Sequence, residues 1–120
     1  MTLQQQQSKF ALAVAALIQQ AEVMGFEMTF GETYRPPETA ALFAQQGKGS
    51  SNSLHSKRLA IDLNLFKDNK YLAATKDHLE LGVWWEELGK AKGWPLYWGG
   101  RFQRADGNHY SWSPDGGKTR

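Results

Sequence analysis

Cysteine is absent from this chain, and that absence closes several routes at once. No disulfide can staple the fold, no thiolate can serve as a nucleophile, and a zinc site built on Cys is excluded, so any metal would have to be held by His, Asp or Glu. Long hydrophobic runs are missing too. The most apolar stretch, Phe10 to Ile18, falls far short of the ~20 residues a bilayer-spanning helix needs. Gln4 to Gln7 before it lack the basic start of an export signal, which Lys9 imitates only faintly. Charge is balanced, with 14 Lys and Arg against 12 Asp and Glu for a net +2. Without a dense basic block there is no footprint for nucleic acid, although a pI near 8.9 leaves a mildly cationic surface.

What is present suits one domain. A chain of 120 residues that is 41% hydrophobic can bury one core and has no room for a second. Residues 1–120 therefore read as a single domain, with the Gln-rich start (1–7) and the polar end (114–120) expected to be flexible. Phe10, Val14, Leu17, Ile18 and Ala21 recur at helical spacing, and Gly25 supplies a stop. Phe26, Met28 and Phe30 then alternate with Glu27 and Thr29 as in a half-buried strand. Pro36 and Pro37 end that strand near Arg35, and a helix is expected from Glu38 to Gln46 with Leu42 and Phe43 as its apolar contacts. Gly47 to Ser53 reads as a loop leading to His55. Leu59, Ile61, Leu63 and Leu65 point one way and Ala60, Asp62 and Asn64 the other, so Asp62 sits mid-strand, where a carboxylate needs something positive beside it. Leu81, Trp84, Trp85 and Leu88 predict a helix ending before Gly93, and the aromatic segments around Gly99-Gly100 and after His109 predict one or two last strands. The fold class is α+β: a small antiparallel sheet flanked by helices.

Two motifs carry chemistry. Ser53-Leu54-His55 leads through Ala60 to Asp62, and Asp106-Gly107-Asn108-His109 follows much later. If they meet in space they bring neutral imidazoles, a hard oxygen ligand and a further carboxylate for proton transfer, which is what a hydrolytic zinc site needs. Each piece has an ordinary alternative. A His in a Ser-rich loop is often a surface residue, a strand Asp can pair with Lys or Arg, and Asp-Gly is a common hairpin turn. In a flat strand, residues three apart face opposite sides, so the Gly-Asn break is what would let Asp106 and His109 converge. His78 lies in a polar stretch and reads as a surface residue. The tryptophans read mainly as core, with Trp98 beside two glycines the best candidate to line a cleft.

Tyr34-Arg35-Pro36, then Ser53-Leu54-His55 through Ala60-Ile61-Asp62-Leu63, then Trp98-Gly99-Gly100, then Asp106-Gly107-Asn108-His109 form an ordered set that spans about residues 10 to 112. It resembles the LAS-type zinc peptidases, specifically the VanY-like D-alanyl-D-alanine carboxypeptidases and phage L-alanyl-D-glutamate endolysins, with the hedgehog/D-Ala-D-Ala peptidase-like fold. One departure is Arg58, which stands where the family motif usually has Gly. The resemblance implies that His55, Asp62 and His109 hold Zn2+, that Asp106 is the general base, and that Arg35 lies near a substrate carbonyl or carboxylate. Arg35 has a structural salt bridge as its alternative role, and Ser53 either touches substrate or shapes its loop. The implied partner is a peptidoglycan stem peptide, met by a monomer that neither inserts into membranes nor binds nucleic acid. The expected activity is that of an endolysin cutting the L-Ala-D-Glu bond, made in the host bacterial cytoplasm and reaching the wall without its own signal peptide. The alternatives are a D-Ala-D-Ala carboxypeptidase or dipeptidase, or a non-catalytic wall-binding or virion protein on the same fold.

Overall fold

The computed structural model describes residues 1–49 and 52–120. Ser50 and Ser51, part of the expected loop before His55, lie outside the described residues. The first helix, α1 (Leu3–Val23), begins two residues after the chain start with a reciprocal cap. Thr2 Oγ1 accepts the Gln5 N–H at 3.1 Å while Gln5 Oε1 accepts the Thr2 N–H at 2.8 Å. Gln6 accepts from Trp112 Nε1 and Gln7 donates to the Lys57 carbonyl, so the run is helical and anchored.

The rest of the chain runs β1 (Glu27–Phe30), α2 (Pro37–Gln45), β2 (Ala60–Lys67), β3 (Lys70–Tyr71), α3 (Leu79–Lys92), β4 (Leu96–Trp98) and β5 (His109–Trp112). Short 3-10 turns at Leu54–Lys57, Thr75–His78 and Gly99–Arg101 join them. The sheet is antiparallel in the order β1-β2-β5-β4, with β3 folding back on β2. The aliphatic alternation in β2 is realised: Ile61, Leu63 and Leu65 are buried beneath the helices, while Asp62 and Asn64 face the other way and remain half-buried. Helices α1 and α3 cover that inner face, where Phe10 meets Trp85 edge-on at 6.1 Å and Trp85 meets Tyr110 at 5.6 Å. No described helix is long and apolar enough to cross a membrane.

Some apolar residues depart from expectation. Phe30 sits on the outer strand of the sheet and is 64% exposed, and Leu42 on α2 is 49% exposed; Ala40, not Leu42, is the buried contact of that helix. A nine-residue helix that packs on little of the rest of the fold has too little neighbouring surface to cover a wider stripe. In the tail, Asp115 accepts hydrogen bonds from the Thr119 backbone and hydroxyl, and the Arg120 carbonyl accepts from the Leu54 N–H at 2.6 Å.

Candidate metal centre

Strand register builds half of the centre. Asp62 of β2 lies directly opposite His109 of β5, which puts both side chains on one face about 5 Å apart at Cβ. His55 arrives from the 3-10 turn just before β2. Ser53 caps that turn, its hydroxyl accepting the His55 N–H at 3.2 Å, and donates in turn to the Arg120 carbonyl. Arg58 closes the turn in the left-handed region at φ 55°, the conformation for which Gly is the usual choice. Its guanidinium lies 4.0 Å over the Tyr34 ring, a cation-π contact that offsets part of the backbone cost. The departure from the motif thus leaves the turn intact.

His55 Nε2 and His109 Nδ1 stand 3.4 and 3.5 Å from Asp62 Oδ1, and one donor atom from each residue lies within 4.8 Å of the others. Asp62 Oδ1 is buried and has no hydrogen-bond partner among the described residues. Lone-pair donors converging on one point with an unsatisfied carboxylate oxygen among them are what a divalent cation requires, and a His, Asp, His set suits zinc with a position left open. Burial would raise the Asp62 carboxyl, but the imidazoles of His109 and His55 outweigh it and hold it well below the usual carboxylate range. Asp62 is therefore ionised, as a ligand must be.

Asp106 flanks this trio without belonging to it. Its backbone N–H donates to the Gly99 carbonyl at 2.9 Å and its carbonyl accepts the His109 N–H at 3.1 Å, so the turn fixes it relative to β5. A Cβ on Gly99 would collide with the Asp106 carbonyl and lie 2.7 Å from His109 Cβ; only glycine lets the loop rest there. Asp106 is exposed as a residue, but partial desolvation of its carboxyl in the cleft and the charge of Asp62 raise its pKa, against the opposing pull of His109, His55 and Arg120. A carboxylate tuned upward beside a metal site is suited to accepting a proton and giving it back.

These residues line a cleft of about 120 Å³ together with Arg35, Lys48, Ser53, Phe102 and Arg120. Arg35 is both a cleft residue and a structural partner: its guanidinium pairs with Glu32 at 2.6 Å, and Glu32 Oε1 lies 3.5 Å from His55 Nδ1. Sequence reasoning missed Glu32, Phe102 and Arg120, because none stands at a motif position. Trp98 is corrected. It is 2% exposed, stacks under Gly82 and Gly100, and donates Nε1–H to the Gly107 carbonyl at 2.7 Å, so it supports the Asp106–His109 loop from below and does not line the cleft. His78 is corrected as well: it is 1% exposed, with Nδ1 2.9 Å from the Tyr110 hydroxyl beneath the sheet.

Two imidazoles and a carboxylate open to a cleft, with a separate carboxylate alongside, define a hydrolytic metal centre of the metallopeptidase type. Residues 46–112, more than half the chain, match the family model described as D-alanyl-D-alanine carboxypeptidase, and the chain belongs to that peptidase family. Among solved structures it is similar to the L-Ala D-Glu endopeptidase ChiX of Serratia marcescens. The TM-score is 0.63 at 17% identity, over 72% of this chain and 67% of that one, a likeness of fold. No curated protein sequence matches the chain.

Proposed function

We propose that this peptidase is a zinc enzyme that hydrolyses peptidoglycan stem peptides, and that it acts as an endolysin at the L-Ala-D-Glu bond. The observation that carries this reading is the placement of Asp106 beside the His55, Asp62 and His109 cluster, outside it yet in the same cleft. A zinc ion held by those three side chains would supply Lewis acidity, polarising a carbonyl and lowering the pKa of a water in the cleft. The chain's own residues do the rest. As water oxygen bonds to the carbonyl carbon, the Asp106 carboxylate takes its proton; as the C–N bond breaks, Asp106 returns a proton to the leaving nitrogen, which departs as the amine. Arg35, held by Glu32, presents a fixed cation for the oxygen that gains charge. Phe102 walls the cleft and packs against the His109 ring at 5.3 Å, restricting how that imidazole can turn.

The family description favours a second reading, removal of a terminal D-Ala. The two differ in product. Cutting between L-Ala and D-Glu detaches the cross-links and leaves new D-Glu amino termini, whereas trimming D-Ala leaves existing cross-links in place. Digestion of purified sacculi, followed by turbidity and by mass spectrometry of new termini, separates them. Loss of turbidity with new D-Glu amino termini is the expected result. Free D-Ala without turbidity loss would select the carboxypeptidase.

A further inference from the structure

The cleft holds more positive charge than hydrolysis requires. Of its cations, Arg35 is already paired with Glu32, and Lys48 makes no side-chain hydrogen bond or ion pair among the described residues. Arg120 is different. Its backbone carbonyl is tied to the site turn by the Leu54 N–H at 2.6 Å and the Ser53 hydroxyl at 3.2 Å. Its guanidinium lies 4.4 Å over the Phe102 ring, at the wall shared with His109, and has no carboxylate partner among the described residues. Asp115 stiffens the approach by holding Thr119 through its backbone and hydroxyl. A long flexible side chain is thus laid flat on an aromatic plane in the cleft that Asp106 also lines, with no ion pair or hydrogen bond to its guanidinium among the described residues.

We propose that Arg120, which lies outside the matched family segment, is a specificity-determining residue that receives a free carboxylate next to the scissile bond. Resting on the endopeptidase reading above, that group is the α-carboxylate of the γ-linked D-Glu on the leaving side. A guanidinium matches a carboxylate with two parallel N–H donors, and Arg120 lines the same cleft as Asp106, with its guanidinium laid on the Phe102 wall, so it is available to a group beside the scissile bond. The substitution that tests this leaves the anchoring bonds alone, since they use the backbone carbonyl.

The experiment compares wild type, Arg120→Gln and Arg120→Lys, each checked for zinc content and melting temperature. The substrates are a stem peptide with free D-Glu α-carboxylate and the same peptide α-amidated. Wild type should prefer the free acid in kcat/KM. Arg120→Gln should lose roughly 10-fold to 100-fold on the acid, chiefly through KM, and little on the amide; Arg120→Lys should recover part of the loss. Unchanged preference in Arg120→Gln, or equal losses on both substrates, would overturn the proposal while leaving the endopeptidase reading standing. If wild type cuts neither peptide between L-Ala and D-Glu, the endopeptidase reading falls and the proposal falls with it.

Discussion

Glu32 uses one carboxylate for two neighbours: its Oε1 is 2.6 Å from the Arg35 guanidinium and 3.5 Å from His55 Nδ1, the ring atom turned away from the ligand cluster. At 3.5 Å the two atoms make no hydrogen bond, but a carboxylate charge behind a ligating imidazole favours the Nδ1–H tautomer and raises the ligand's basicity. Glu32→Gln keeps the volume but removes that charge, so zinc affinity should fall by about tenfold. Competition with a coloured chelator would measure it; affinity equal to wild type would make Glu32 a partner of Arg35 alone. Trp98 acts on the site in a comparable indirect way, through its 2.7 Å hydrogen bond to the Gly107 carbonyl. The sequence could not reveal either role, because Glu32 and Trp98 act through contacts between segments that no local pattern specifies.

At the scale of elements, the site depends on one pairing and one close approach. β2 and β5 bring Asp62 opposite His109, and Gly99 allows the Asp106 turn to lie against them. Gly99→Ala should therefore destabilise the fold by about 1–3 kcal/mol, the cost of overpacking, with lost activity in whatever fraction remains folded; an unchanged melting temperature and full activity would contradict the packing account. Arg58→Gly, by contrast, relieves the left-handed backbone while removing the contact with Tyr34, two effects each of about 1 kcal/mol and opposite in sign. Its net change should be small, as thermal melting would show. Much of this architecture was legible beforehand. The β2 alternation, the α1 periodicity and the stops at Gly25 and Gly93 are local signals, and they gave the elements and Asp62's orientation. His78 was misread because its neighbours in sequence are polar while its neighbours in space are Tyr110 and the underside of the sheet. The hydrogen bonds that the Gln run and the tail make were likewise not legible, because they go to segments distant in sequence.

For the whole molecule, the buried His78 links stability to pH. Burial lowers its pKa from the ordinary 6.5 to about 4 despite the opposing charge of Asp77. The unfolded chain therefore binds a proton that the folded protein refuses. Its contribution is complete above pH 6.5 and is lost as pH falls from there toward 4. Between pH 7 and pH 5 metal-free protein should lose about 2 kcal/mol through this residue, seen in urea unfolding as a pH dependence that flattens in His78→Gln. An equal dependence in the variant would assign it to other groups. On the proposed reading the same fold has to hold a metal and keep Asp106 free of it, and that division of labour is most directly tested by the zinc bound per chain in Asp106→Asn beside wild type. One zinc is expected in each, with activity in the variant down by roughly 10²-fold to 10⁴-fold, the scale of a lost general base. Zinc lost from Asp106→Asn in proportion to activity would make Asp106 a ligand and contradict that division.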